Sequence, residues 1–355
     1  MKIITCAPLP PPHGGITNWY KILCAEAERR QVEFLNVDIS PRKSIDGRSL
    51  FYRIFVQGFR MISQRRLLRH LINRNTDVKA AHVATSGQLA LVRDIWFLSL
   101  LKKKNIRSVY HLHFGDVPEI YRRKGMQYRC IKKALSLASE VIAIDPKTYE
   151  VLYKEFGGEK VHYIPNPVDK AGENCEDNLN RVLFLGNVLA AKGIEELLTA
   201  WESVAEEHSD WQLTVAGFCE EDYEQYLKGK YPMNRVEMKG AVDHEGAMEL
   251  LSKASFLVLP SYTEGFPNVI LEAMMRKKAV IATDVGAVAD VLAEECGVVI
   301  RPKEVEDIKS AVNRLIKDKD YRAALGENGY KKASVKYVTA AVVDQYEKLW
   351  MGGGK

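Results

Sequence analysis

The sequence predicts an α/β protein made of two doubly wound parallel sheets in series. Apolar runs of strand length recur along the 355 residues, and most are separated by stretches with a helical apolar period. That alternation produces β-α-β units, because parallel neighbours need a crossover and a helix supplies it. The pattern lapses once, over the polar stretch Asp169 to Asn178, and resumes at Arg181-Val182-Leu183-Phe184-Leu185-Gly186. One domain is therefore expected over residues 1–172 and a second over 173–334.

In the first domain, strands are expected near 2–6, 32–36, 79–84, 107–112 and 139–144. The first runs into Pro8-Leu9-Pro10-Pro11-Pro12-His13-Gly14-Gly15. Its prolines forbid helix, and its glycines let backbone approach a ligand closely before a helix begins near Ile16. A stiff surface loop is the plainer reading of the same residues. In the second domain, the strand ending at Gly186 is followed by strands near 211–216, 235–238, 255–259, 279–282 and 297–300.

Open parallel sheets bind ligands outside the carboxyl ends of their strands, so the residues just after each strand are the informative ones. After Gly186 comes Asn187 to Leu198, in which Lys192 stands at the mouth of an amphipathic helix, where it would meet an anion. Most lysines are merely solvated. The segment Leu257 to Met274 is richer. Pro267 fits the first helical position, which leaves Glu264 on the preceding loop and Glu272 in the second helical turn. Backbone N–H groups near Asn268 and Val269, at the positive end of the helix dipole, make a pyrophosphate seat. Glu272 can accept both hydroxyl protons of a ribose, and Glu264 can reach the sugar. Two glutamates eight residues apart are common by chance; the strand, Pro-Ser, Glu-Gly-Phe-Pro and helix around them give the pair its meaning.

With these residues in view, the sequence resembles glycosyltransferase family 4. In the first domain the likeness rests on Gly14-Gly15, His111-Leu112-His113-Phe114-Gly115 and Ile164-Pro165-Asn166-Pro167-Val168-Asp169. In the second it rests on Gly186 to Gly193, the pair Glu264 and Glu272, and Thr283-Asp284-Val285-Gly286-Ala287. The resemblance implies the GT-B architecture, two Rossmann-like domains facing across a cleft. It also implies transfer of a sugar from a UDP- or GDP-sugar donor, with retention of anomeric configuration, to a glycan or lipid-linked acceptor in surface polysaccharide or glycolipid synthesis. By the same resemblance the catalytic set is His113, Lys192 and Glu264, with Lys192 neutralising the donor diphosphate and Glu264 near the transferred sugar. The donor-binding set is Gly15, Asn187, Lys192, Gly265, Phe266, Asn268, Val269 and Glu272, the last as ribose ligand. A histidine after a strand is otherwise as readily structural. The chain departs from the family pattern at Asn187, where arginine commonly follows the loop glycine, and the lost charge bears on donor identity and affinity more than on reaction class. A C-terminal helix over 335–350 is implied to pack back on the first domain through Tyr346, Leu349 and Trp350, spaced along one helical face.

Composition narrows the classes. With 46% hydrophobic and 27% charged residues the chain is an ordinary globular one, which excludes disorder, collagen and small disulfide scaffolds. Its apolar runs, such as Ala279-Val280-Ile281-Ala282, fall far short of the roughly 20 residues that cross a bilayer. The N-terminus lacks the apolar core of a secretion signal, so a cytoplasmic location is expected. Six cysteines never approach CxxC spacing and are expected to be reduced. Residues 1–170 hold 29 Lys and Arg against 15 Asp and Glu, whereas the remainder is acidic. RNA-binding aromatic signatures and zinc-finger spacings are missing, so nucleic acid is not expected as a partner. From Arg42 to Arg74, nine basic residues and the single acidic Asp46 interleave with apolar ones such as Phe55, Phe59, Ile62 and Leu67. Such a segment can lie on an anionic membrane surface, giving peripheral attachment at the inner face. Alternatively, its apolar positions pack on the sheet and its arginines are simply solvated.

No metal and no cofactor are expected. The one Asp-x-Asp, Asp318-Lys319-Asp320, lies between two helical patterns, where helix capping is the natural role. Two readings compete with transfer: a nucleotide-sugar epimerase of the same architecture, and a non-catalytic nucleotide-sugar-binding subunit, which would be expected to lose Lys192 or one of the glutamates.

Overall fold

Two six-stranded, wholly parallel sheets organise the chain, one in each of two units. A computed structural model describes residues 1–10, 14–40, 50–170 and 180–353, the side chains of 50–57 excepted. Pro11 to His13, the start of the basic segment and most of the polar stretch between the domains therefore lie outside the described residues. Unit 1 comprises Met1–Pro167 together with Thr339–Lys355, and unit 2 comprises Val168–Val338.

Unit 1 runs β1 (Lys2–Ala7), α1 (Gly15–Arg29), β2 (Glu33–Asp38), α2 (Leu50–Arg74), β3 (Val78–Thr85), α3 (Ala90–Lys103) and β4 (Arg107–Leu112). It continues with α4 (Val117–Arg123), α5 (Met126–Leu137), β5 (Glu140–Ala143), α6 (Pro146–Phe156) and β6 (Val161–Tyr163). Its strand order is β2-β1-β3-β4-β5-β6. The strand β6 has no counterpart in the sequence reading. It is a three-residue edge strand in which only Val161 is fully buried, so it leaves no apolar run to detect.

Unit 2 runs β7 (Arg181–Leu185), α7 (Ile194–Glu207), β8 (Gln212–Ala216), α8 (Glu221–Lys230), β9 (Val236–Gly240), α9 (His244–Lys253) and β10 (Phe256–Leu259). Then follow α10 (Asn268–Met274), β11 (Ala279–Thr283), α11 (Val288–Leu292), β12 (Val298–Ile300), α12 (Val305–Lys317) and α13 (Lys319–Lys336). The order is β12-β11-β10-β7-β8-β9. The chain thus moves one way from β7 and then returns to its other side at β10, which puts the switch point of the sheet between β7 and β10.

The last helix, α14 (Thr339–Met351), belongs to unit 1. It starts four residues later than the sequence reading has it, because Val335 still lies in α13. Tyr337 closes α13, its own carbonyl accepts from Val168 N at 2.8 Å, and Val338 bridges Val168 in parallel. The division likewise falls at Pro167/Val168 rather than at 172/173.

Strand alternation gives the unit 1 sheet two cores. Ile4, Val83, Tyr110 and Val141 face α2 through α6, whereas Ile3, Ala80, Val109 and Ile142 face the other way. On that second face the buried helical residues come from α1 and α14: Trp19, Tyr20 and Leu23 from one, Val342, Tyr346, Leu349 and Trp350 from the other. Among the described residues no helix is long and apolar enough to cross a membrane.

Candidate functional site

Three loops of unit 2 leave the carboxyl ends of three neighbouring strands, β7, β10 and β11, and meet at the switch point. Two glycines let them approach. Gly193, at φ +69°, closes the turn after β7, and a Cβ there would stand 2.0 Å from the carbonyl oxygen of Pro260. Gly286, at φ +55°, would put a Cβ 2.3 Å from the carbonyl oxygen of Glu264. Backbone bonds complete the seam: Tyr262 N donates to Ala191 O at 2.9 Å, and Ala287 N donates to Gly265 O at 3.1 Å.

This seam brings together residues 72 apart in the chain. Lys192, the last residue of a single 3-10 turn, donates from Nζ to Glu264 Oε1 at 2.6 Å. Ser261 Oγ donates to the same oxygen at 2.7 Å. The Glu264 side chain is only 12% exposed, so its charge is held by two donors in a partly dry place. An ammonium has three N–H donors, and one is spent on Glu264.

Pro267 caps α10 rather than beginning it, with ψ at 101°, one position earlier in helical register than the sequence reading puts it. A missing N–H costs nothing there. Asn268 and Val269 are the first two residues of the helix, and Ile270 N, donating to Pro267 O at 3.1 Å, follows them. Glu272 sits in the second turn. Burial pushes its carboxyl up to about 7, against the opposing charge of Arg276. Phe266 turns inward against Tyr337, with ring centroids 6.1 Å apart, and so offers a ligand its backbone only. Gly265 is half-buried in the same loop, and Asn187, on the loop after β7, is exposed.

In unit 1, Gly15 begins α1, and a Cβ built there would meet nothing within 4 Å. His113 follows β4 and donates from its backbone N to Thr85 O at 2.9 Å. Its ring lies 3.9 Å from that of His111 and 4.5 Å from Trp19. Burial drives the imidazole down to about 3, so His113 is neutral at physiological pH. Behind it runs a chain of ring nitrogens. Trp350 Nε1 donates to His82 Nδ1 at 3.1 Å, which leaves Nε2 of the neutral His82 to donate to His111 Nδ1, also at 3.1 Å. The proton of His111 is thereby fixed on Nε2. The Nε2 atoms of both His111 and His113 are buried without a partner.

Ser261 and the His82, His111 and Trp350 chain were not legible in the sequence. Ser261 lies inside the recognised segment, but its bond to Glu264 depends on how the loop folds. The other contact joins residues 268 apart with no local pattern. Asp318 caps α13, its Oδ1 accepting from Tyr321 N at 2.8 Å, the role its position implied. Among the described residues no three His, Cys, Asp or Glu side chains gather as metal ligands would.

Two family models match the chain, Glycosyltransferase Family 4 over residues 14–171 and Glycosyl transferases group 1 over residues 166–332. Alpha-D-kanosaminyltransferase of Streptomyces kanamyceticus is 30% identical over 172 residues, 48% of this chain and 45% of that protein. The capsular polysaccharide biosynthesis glycosyltransferase CapM of Staphylococcus aureus is 27% identical over 172 residues, 47% of this chain and 44% of that protein. The chain thus spans less than half the length of these two relatives. Among solved structures, HepE of Anabaena in complex with UDP superposes with a TM-score of 0.72 at 18% identity, covering 98% of this chain and 99% of that one. That likeness shows the fold, a GT-B pair of Rossmann-like domains.

Proposed function

The chain belongs to the family 4, group 1 glycosyltransferases, and from that premise we propose that it moves a sugar from a nucleotide diphosphate sugar to a glycan or lipid-linked acceptor. The observation that carries this is the Lys192–Glu264 pair at the switch point of the unit 2 sheet, one helical segment away from Glu272. Departure of a diphosphate leaves negative charge on its oxygens while positive charge grows on the sugar ring. The two free donors of the Lys192 ammonium answer the first, assisted by the N–H groups of Asn268 and Val269. The Glu264 carboxylate, held in place by Ser261, answers the second. Glu272 accepts the ribose hydroxyls. With Asn187 in the place of a cation, Lys192 bears more of the phosphate charge.

On unit 1, the neutral His113 is suited to a hydrogen bond with a substrate hydroxyl rather than to proton donation. Retention of configuration, independence from metal ions, a UDP- or GDP-linked donor and a cytoplasmic location complete the reading. The UDP bound by HepE and the capsular polysaccharide role of CapM favour it.

The test is incubation of the purified protein with a panel of UDP- and GDP-sugars, with and without glycan and lipid-linked acceptors, followed by NMR of the products. Release of free nucleotide diphosphate with a retained anomeric centre is expected. Interconversion of sugar nucleotides without acceptor would establish the epimerase reading instead, and donor binding without any turnover would establish the binding subunit.

A further inference from the structure

The basic segment of unit 1 resolves into a defined recess. Ile62, Arg65, Arg66 and Arg69 of α2 and Trp96 of α3 line a half-open recess of about 250 Å³. At 100° per residue the four α2 positions fall within one third of the helix circumference, with Phe59 beside them, while Gln64, Leu68 and Ile72 point into the protein. Ile62 to Arg69 stand roughly 18 to 28 Å along α2 from its first residue, well down the flank and away from the carboxyl ends of the strands.

Among the described residues, the charges in this recess are not spent on the protein. Arg60 reaches Asp38 at 3.8 Å, but Arg65, Arg66 and Arg69 have no acidic partner among the described residues. Arg65 Nε is buried and makes no hydrogen bond. A buried guanidinium N–H without an acceptor is costly, and a phosphate oxygen relieves that cost. The rim is apolar: Phe59 is 60% exposed, Ile62 40% and Trp96 42%. A free phosphate ion has no use for such a rim, whereas a phospholipid brings a phosphate and an acyl boundary together, the setting in which an indole sits well.

We infer that the recess between α2 and α3 binds the phosphate of an anionic phospholipid and docks this flank of unit 1 on a membrane surface. Arg65, Arg66 and Arg69 take the headgroup, and Phe59, Ile62 and Trp96 enter the acyl boundary. The inference stands independently of the donor site.

Tryptophan emission gives a direct reading. Of the five tryptophans, Trp19, Trp201, Trp211 and Trp350 are buried, so Trp96 is the one that a surface event reaches. The protein is mixed with vesicles of phosphatidylcholine alone or with phosphatidylglycerol added, at low and high salt, and scored by flotation and by the shift in emission. Binding to the anionic vesicles with a blue shift is expected, lost at high salt and absent with phosphatidylcholine. Replacing Arg65, Arg66 and Arg69 by Gln weakens binding on the order of 100-fold, at roughly five-fold per charge. Arg66→Gln with Arg69→Gln, both at exposed positions, serves if the triple variant fails to fold, with roughly 25-fold weakening. Arg122→Gln with Arg123→Gln, which removes two charges paired to Glu119, leaves binding unchanged. Trp96→Phe abolishes the blue shift. Vesicle binding by the arginine variants equal to that of the original chain would overturn the inference. So would a Trp96 response to inorganic phosphate or to an RNA oligonucleotide, lost in those variants, in a protein that ignores vesicles.

Discussion

The proposed role of Glu272 as ribose ligand makes donor binding a proton-linked event. Its carboxyl titrates at about 7 in the ligand-free protein, against 4.5 for an ordinary glutamate, because burial disfavours the charged form more than Arg276 favours it. An ionised carboxylate accepts from two ribose hydroxyls, one on each oxygen, whereas protonation turns one of those oxygens into a donor. Donor therefore binds the ionised form and releases a proton below neutrality. At about pH 5 only some 1% of the protein carries that form, so affinity is expected to be roughly 100-fold weaker than at about pH 8. The donor's own diphosphate, a diester, does not titrate in this range. The sign for stability is opposite: with the folded pKa above the unfolded one, the free protein loses stability as pH rises from 4.5 through 7. The loss is at most about 3 kcal/mol, reduced by the partial exposure of the group. Glu272→Gln should flatten the pH dependence of binding and raise the melting temperature of the free protein at about pH 8 but not at about pH 4. Isothermal calorimetry at slightly acid pH, in buffers of different ionisation enthalpy, measures the released proton directly. Affinity that is level from acid to alkaline pH, with Glu272→Gln binding as tightly as the original chain, would show that Glu272 does not hold the ribose.

Lys192→Ala should lower donor affinity or turnover about 10- to 150-fold, the cost of a charged contact to phosphate, while sparing the fold; steady-state kinetics with the preferred donor checks it. Turnover should survive a chelator, and its abolition with rescue by manganese or magnesium would contradict the metal-independent mechanism. Trp350→Ala removes a fully buried indole and its bond to His82, and should destabilise the protein by about 3 to 5 kcal/mol, seen as an early unfolding transition in a denaturant titration. Gly193→Ala should be worse for activity than its size implies, because it strains a left-handed backbone and pushes on Pro260; a crystal structure of the variant would show the loop after β10 displaced.

Strands were the most legible part of the chain. Among the described residues, eleven of the twelve strands carry an apolar pattern, the central ones as continuous buried runs because both faces of a parallel sheet are covered. The missing one, β6, is short and lies at an edge, where one neighbour suffices and the apolar signal fades. The placement of Lys192, Glu264 and Glu272 just after strands was legible because each lies within a motif with local turn and helix signals. What holds them was not. The Lys192–Glu264 bond joins two loops whose approach depends on Gly193 meeting Pro260, and no local period encodes that meeting. The histidine chain was hidden for the same reason, as was the break between α13 and α14, where a single bridge to Val168 interrupts a run that reads as helix.

The return of α14 to unit 1 has a consequence for the order in which the protein is made. Trp19 bonds Tyr346 across 327 residues, so one face of the first sheet keeps its partner waiting until all of Val168–Val338 has left the ribosome. At the usual pace of translation that interval is on the order of 10 to 30 s, far longer than a domain of this size needs to collapse. Unit 2, whose chain is continuous, is then the first to be finished although it is the second to be synthesised. Nascent unit 1 meanwhile presents Ala80, Val109 and the ring nitrogens of His82 to water or to a chaperone, and its maturation is timed by the appearance of its neighbour.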